Sequence, residues 1–196
     1  MERIQGALIF ALVTFSLAVV QHVPKPIALK ISRPSSQSTS STPPSKAFMP
    51  PDIVHYFSGN WGGKGKLIMS GKDVESDFSF VPEIEDQCIL VHKKERPPNT
   101  FEYFALWSMD SVSGELVMLL ASNHDSGARV FRSHGWQNDK VVFQSVPELH
   151  AFWALERITF ERESAITFHT TYEMSMDDGK TWRVGDHQTF TKKASP

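Results

Sequence analysis

Short stretches of alternating apolar and polar residues, separated by turn sequences, run from Phe57 to the end of the chain. An alternation with a period of two indicates β-strands with one buried face. None of the segments between them is long enough for a crossover helix, which parallel neighbours would need. The sequence therefore predicts an all-β domain of roughly ten antiparallel strands.

A row of about ten strands joined by hairpins either leaves two edge strands exposed or closes on itself. Closure removes the edges, so we predict an up-and-down barrel. The one helical candidate is segment 51–57, where Pro50-Pro51 suits a helix start and the short helix would plug one end of the barrel. Segments 137–140 and 177–180 have the composition of tight turns, and the Asp-Gly pair in the second supplies a positive φ.

Residues 1–18 have the pattern of a signal peptide or an N-terminal anchor. The run 4–20 is almost free of charge, follows Arg3 and is short for a membrane span. Ser16 and Ala18 place small residues at the −3 and −1 positions of a cut after residue 18. We expect export to the periplasm or to the outside of the cell, and both cleavage and retention as an anchor stay open.

Segment 19–51 is rich in Ser, Thr and Pro, which predicts a flexible linker and leaves 52–194 for the barrel. The part from Asp52 onward carries 15 cationic and 21 acidic residues, and the whole chain has a net charge of −2. This acidic balance disfavours a nucleic acid partner. The single cysteine, Cys88, excludes an intramolecular disulfide and a thiolate-rich zinc site.

The chain contains none of the common catalytic motifs, so we favour a protein that is not an enzyme. The glycine-rich segment 62–66 lies inside a strand pattern, where it predicts a bulge or a sharp bend rather than a phosphate loop. Strand histidines are not spaced as metal ligands, and we predict no metal site. An enzyme with His134 or His169 as a base, the latter oriented by Glu173, is the alternative from the residues.

Aromatic side chains are crowded on one face of several predicted strands. Such faces either fill the interior or line a ligand cavity, because a barrel of about eight or more strands has room for a small molecule. We predict a cavity for a small apolar or amphipathic molecule, and a structural or partner-binding module with a filled core is the competing interpretation. Oligomeric state stays open. The predicted cavity wall consists of Trp107, Arg132, His134, Trp136 and Tyr172.

Four blocks of sequence resemble a family of uncharacterised bacterial lipocalin-like (calycin) proteins. Segment 57–65 is similar to their Gly-x-Trp-x-Gly-x-Gly opening, and segment 133–143 is similar to a Gly-Trp-x-Gly-Asp-x-Leu-x-Phe hairpin in which Asn138 stands for a glycine. Segments 156–160 and 175–182 match the next two blocks. The resemblance implies a calycin barrel and no particular reaction.

A related calycin group, the nitrobindin-like barrels, opens with the same motif and binds haem through a histidine near the last strand. His187 is the position of this chain that corresponds best to that histidine. The resemblance therefore implies a haem or nitrogen-oxide protein as an alternative function. The residues themselves predict no cofactor.

Overall fold

The computed structural model describes residues 48–124, 127–146 and 154–194, so the predicted signal peptide or anchor (1–18) and most of the predicted linker lie outside the described residues. Its one helix in this part precedes ten long strands and one two-residue strand. In chain order the elements are α1 (Pro51–Phe57), β1 (Gly59–Leu67), β2 (Lys72–Glu83), β3 (Cys88–Glu95), β4 (Glu102–Met109), β5 (Leu116–Ser122), β6 (Ala128–Ser133), β7 (Trp136–Gln137), β8 (Lys140–Ser145), β9 (Leu155–Ser164), β10 (Thr167–Ser175) and β11 (Arg183–Lys192).

All strand pairings in the described chain are antiparallel, and they close a barrel wall of ten strands. The first strand, β1, pairs with the last, β11, from Trp61↔Lys192 to Leu67↔Asp186. The second junction joins β6 to β8 through two register pairs. The predicted up-and-down barrel is thus confirmed. Residues 129–136 do not form one continuous strand, because Gly135 takes a φ of 74° between β6 and the short β7.

The two predicted turn sequences form tight turns and contain residues with a positive φ. Asn138 and Asp139 connect β7 to β8 with φ values of 50° and 63°. Asp178 and Gly179, between β10 and β11, have φ values of 57° and 82°. Asn, Asp and Gly tolerate this left-handed region better than other residues, which is why they fix the hairpins at these points.

Helix α1 closes one end of the barrel, as the sequence predicts. Its Ile53 and Phe57 side chains are fully buried. The Phe57 ring lies 5.2 Å from Trp107 and stacks on Trp136 at 5.6 Å. The Trp61 indole donates a 2.7 Å hydrogen bond to the Phe57 carbonyl oxygen, which fixes the end of the helix against β1. Aromatic rings therefore fill this half of the interior.

Two glycines of β1, Gly63 and Gly65, lie so close to β11 that neither position has space for a side chain. A Cβ atom on Gly63 would clash with the Phe190 ring, and one on Gly65 would clash with the backbone of His187 and Gln188. The missing side chains let the Phe190 ring turn into the interior beneath β1. Among the described residues, no helix is both long enough and apolar enough to cross a membrane.

Candidate functional site

The interior is hollow at the end opposite α1, where a cavity of about 700 Å³ opens. The helix lies where β1 begins, whereas the cavity lies where β1 ends, at Leu67, and where β4 begins. Its walls are mostly apolar and aromatic. These wall residues include Leu67, Phe78, Phe101, Tyr103, Leu120, Ile158, Tyr172 and Met174.

Strand alternation also directs a set of polar side chains into this cavity. Those on strands occupy the same inward phase as the buried apolar residues of their strand, so the pleat carries them inside, whereas His124 lies in the loop after β5. The charged and titratable members are Lys93, Glu95, His124, Arg129, Glu156 and Asp186. Groups of this kind are rare in a barrel interior, because burying a charge is costly without a partner.

One buried ion pair joins two strands that flank β8 in the wall. Arg129 on β6 donates a hydrogen bond to Oε1 of Glu156 on β9, and their side chains are 7% and 2% exposed. The Tyr172 hydroxyl on β10 donates to the same Glu156 oxygen at 2.7 Å. Glu156 thus receives two hydrogen bonds that hold its carboxylate in one orientation.

A second pair of buried charges is much looser. Lys93 Nζ lies 4.0 Å from Glu95 Oε1, and their side chains are 6% and 5% exposed. That distance is too long for a hydrogen bond. The Lys93 ammonium also lies 5.7 Å from the centre of the Phe101 ring and 5.9 Å from that of Phe78. Burial raises the pKa of Glu95, an effect that Lys93 opposes and Asp186 strengthens.

Tyr103 on β4 completes the polar part of the wall. Its hydroxyl is buried, and this burial raises its pKa well above the ordinary value of 10.0, with a further increase from Asp186 and a decrease from Arg129. The phenol therefore keeps its proton at physiological pH. It can act in the cavity as a hydrogen-bond donor.

Of the five residues predicted to line a ligand cavity, the structure brings Tyr172 to it. Trp107 points inward but is fully buried in the aromatic half, and Trp136 packs there on Phe57. Arg132 faces outward and pairs with Asp110 at 2.9 Å and with Glu115 at 3.0 Å. The side chain of His134 is 78% exposed and lies 3.5 Å from Glu115. The predicted role of these five residues in ligand binding stays untested.

The outward position of Arg132 has a simple cause. Strand β6 buries Arg129, Phe131 and Ser133, whereas the prediction placed the alternate residues of this strand on the inner face. The strand alternates between buried and less buried residues as expected, but the face that was predicted to point inward points outward. The arginine that is buried inside the barrel is Arg129 rather than the predicted Arg132, and it pairs with the wall carboxylate of Glu156.

His187 lies on the outer face of β11. Its ring is exposed, approaches the Thr171 hydroxyl with Nδ1 at 3.0 Å and stacks on His169 at 5.7 Å. A haem inside the cavity could not take His187 as its axial ligand, because the ring is on the other side of the wall. The alternative of a haem protein stays untested.

The histidines of the enzyme alternative also lie away from the cavity wall. His169 pairs with Glu163 at 2.9 Å, and Glu173 receives two hydrogen bonds from Arg157, at 2.8 and 2.9 Å. His134 is on the outer surface. Within the described ranges, no group of three or more His, Cys, Asp or Glu side chains is arranged to hold a metal ion.

The fold and the cavity define a class: a closed, ten-stranded antiparallel barrel that is filled at one end and hollow at the other. Among solved structures, the chain is similar to the crystal structure of Rv2717c from M. tuberculosis, with a TM-score of 0.53 and 8% sequence identity. The match covers 75% of this chain and 99% of Rv2717c. At this identity the likeness shows the fold alone. No protein-family model and no curated protein matches the sequence.

Proposed function

We propose that the protein binds a small amphipathic molecule in the hollow end of its barrel and performs no chemistry on it. The observation that carries this proposal is the cavity of about 700 Å³, with apolar walls and a few polar groups directed into it. Ligand cavities in proteins commonly have volumes of roughly 300–1,000 Å³ and the same mixture of walls and polar groups.

The two halves of the interior support the same proposal. Barrel interiors of this size can be packed solid by side chains, as the half next to α1 is. The other half places buried charged residues around an open space. Charged side chains in such positions cost stability, which is typical of binding sites rather than of structural cores.

A cavity-filling substitution tests the proposal. Leu120 lines the cavity, and its neighbour Leu119 is 45% exposed on the outer face of the same strand. We expect Leu120→Trp to weaken binding of the neutral fluorescent probe N-phenyl-1-naphthylamine by at least about tenfold, and Leu119→Trp to leave it unchanged. Met174→Trp, at a less tightly packed position of the wall, repeats the test if Leu120→Trp does not fold. A probe that binds both cavity variants as well as it binds the wild type would overturn the proposal.

We also propose that the protein is exported, on the basis of the apolar run 4–20 and the small residues Ser16 and Ala18. The test is to express the full chain in a bacterial host, fractionate the cells and determine the mass of the protein. A product that begins at residue 19 in the periplasm would support cleavage, and an intact chain in the membrane fraction would support an anchor. An intact chain in the cytoplasm would contradict export.

A further inference from the structure

The charges that line the cavity are unequal in number. Among the described wall residues, three carboxylates (Glu95, Glu156 and Asp186) face two permanent cations (Lys93 and Arg129). His124 also lines the wall and adds a positive charge only when it is protonated. A cavity that is acidic in this way is best balanced by a ligand that brings a positive charge.

The carboxylates differ in the number of hydrogen bonds that they receive. Glu156 receives hydrogen bonds from Arg129 and Tyr172. Glu95 is as deeply buried as Glu156, yet within the described residues its carboxylate receives no hydrogen bond, and its nearest cation is 4.0 Å away. A carboxylate that is 95% buried without a hydrogen bond is a strong acceptor directed at whatever occupies the cavity. Thr170 lines the same wall, and its buried hydroxyl also has no hydrogen-bond partner there.

Aromatic rings surround the same point. Phe78, Phe101 and Tyr103 line the cavity beside Lys93 and Glu95. The faces of such rings carry negative partial charge and attract a cation within about 6 Å. Acidic groups among aromatic faces form a suitable environment for an ammonium group that has lost its water.

Resting on the proposed function, we propose that the ligand is a cationic amphiphile whose ammonium head lies at Glu95 and Asp186 and whose apolar tail lies along Leu120 and Ile158. An anionic amphiphile such as a fatty acid is disfavoured, since Arg129 is hydrogen-bonded to Glu156 and Lys93 lies beside Glu95. The carboxylate head of such a ligand would place a fourth negative charge beside the three carboxylates of the described wall. An uncharged head would leave the excess of carboxylates as it is.

The test compares three ligands that share a ten-carbon chain and differ only in the head: decylamine, decanol and decanoate. Each displaces N-phenyl-1-naphthylamine from the wild-type protein near pH 7.5, below its micelle concentration. We expect decylamine to bind at least about tenfold more tightly than decanoate, with decanol between them. If decanoate or decanol binds tightest, the inference fails while the proposed function stands. If none of the three displaces the probe and Leu120→Trp does not weaken the probe, both fail.

A matched pair of variants locates the head. Glu95→Gln removes the negative charge and keeps the shape, and we expect it to weaken decylamine about tenfold and to change decanol less than about twofold. Glu161→Gln, on β9, removes an outer-surface carboxylate that is 46% exposed, and should change neither. Equal weakening of amine and alcohol by Glu95→Gln would indicate a general disturbance of the wall and would overturn the assignment of the head.

Discussion

The two ends of the barrel interior are built from the same strands but differ in packing: one is filled by side chains and the other contains a cavity. At the end closed by α1, Phe57 contacts Trp107 and Trp136, and the rings around them leave no space. At the other end the same strands carry charged and hydroxyl groups around a cavity. We expect the filled end to supply most of the stability and the hollow end to hold the proposed ligand. One closed sheet would then separate these two tasks along its axis.

The largest expected effect comes from removing a ring at the filled end. Phe57→Ala deletes a fully buried side chain at the centre of the aromatic cluster and should lower the unfolding free energy by about 3–5 kcal/mol. The same change at the hollow end, Phe101→Ala, affects a partly buried ring at the cavity wall and should cost about 1 kcal/mol. Urea denaturation measures both. Equal losses would show that the two ends contribute alike to stability.

The next effect concerns the buried ion pair of the hollow end. Glu156→Gln takes a carboxylate away from the buried guanidinium of Arg129 and should cost about 3 kcal/mol. The comparison variant is Asp110→Asn, which weakens the contact with the 39% exposed Arg132 outside the barrel and should cost much less than Glu156→Gln. Denaturation of both variants at neutral pH is the measurement. A small cost for Glu156→Gln would mean that the Arg129–Glu156 pair does not hold this end together.

The smallest effect is a change in how stability depends on pH. Burial raises the pKa of Glu95 above its ordinary value of 4.5. As the pH rises through that value, the unfolded chain releases this proton before the folded protein does, so the wild type loses unfolding free energy. Glu95→Gln cannot titrate, and we expect the wild type to become less stable relative to this variant as the pH rises from about 4 to about 7.

A carboxylate on the outer face provides the control for this pH series. Glu102 accepts a 2.7 Å hydrogen bond from His92, and this contact lowers its pKa. The folded protein therefore releases that proton first, and the wild type should gain stability relative to Glu102→Gln as the pH rises. Slopes of the same sign for the two variants would contradict the assigned environments of Glu95 and Glu102. Lys93, Asp186 and His124 face Glu95 and are present in both the wild type and Glu95→Gln, so the difference between the two curves reports Glu95.

The filled end was easier to predict from sequence than the hollow one. Strand alternation, proline at the helix start and turn residues such as Asn138 depend on local chemistry, and the barrel they predict is confirmed. The inner face of β6 was harder, because both of its faces contain apolar residues and alternation alone cannot say which one faces inward. The choice of the wrong face placed Arg132 inside instead of Arg129.

Most of the polar cavity could not be found by reading along the chain. Lys93 and Glu95 lie in a charged strand end that resembles a solvated surface, and only closure of the barrel buries them. The contact between Arg129 and Glu156 depends on barrel closure, since β6 and β9 lie on either side of β8. One signal was present: Glu156 shares the alternation of Ile158 and Phe160, so an acid occupies a core phase there. The position of Tyr172 was predictable because β10 has apolar residues on only one of its two faces, and Tyr172 lies on that face.

The junction between β6 and β8 has a consequence for the motions of the barrel. Two register pairs, with a further hydrogen bond from Val146 to Val130, join these strands, whereas nine pairs join β1 to β2 and seven join β1 to β11. Amide protons at this seam should exchange with deuterated water sooner than those of the first and last strands. The barrel would then open locally between β6 and β8, in the middle of the described sequence. The first and last strands, which in most proteins are the first to fray, would stay paired.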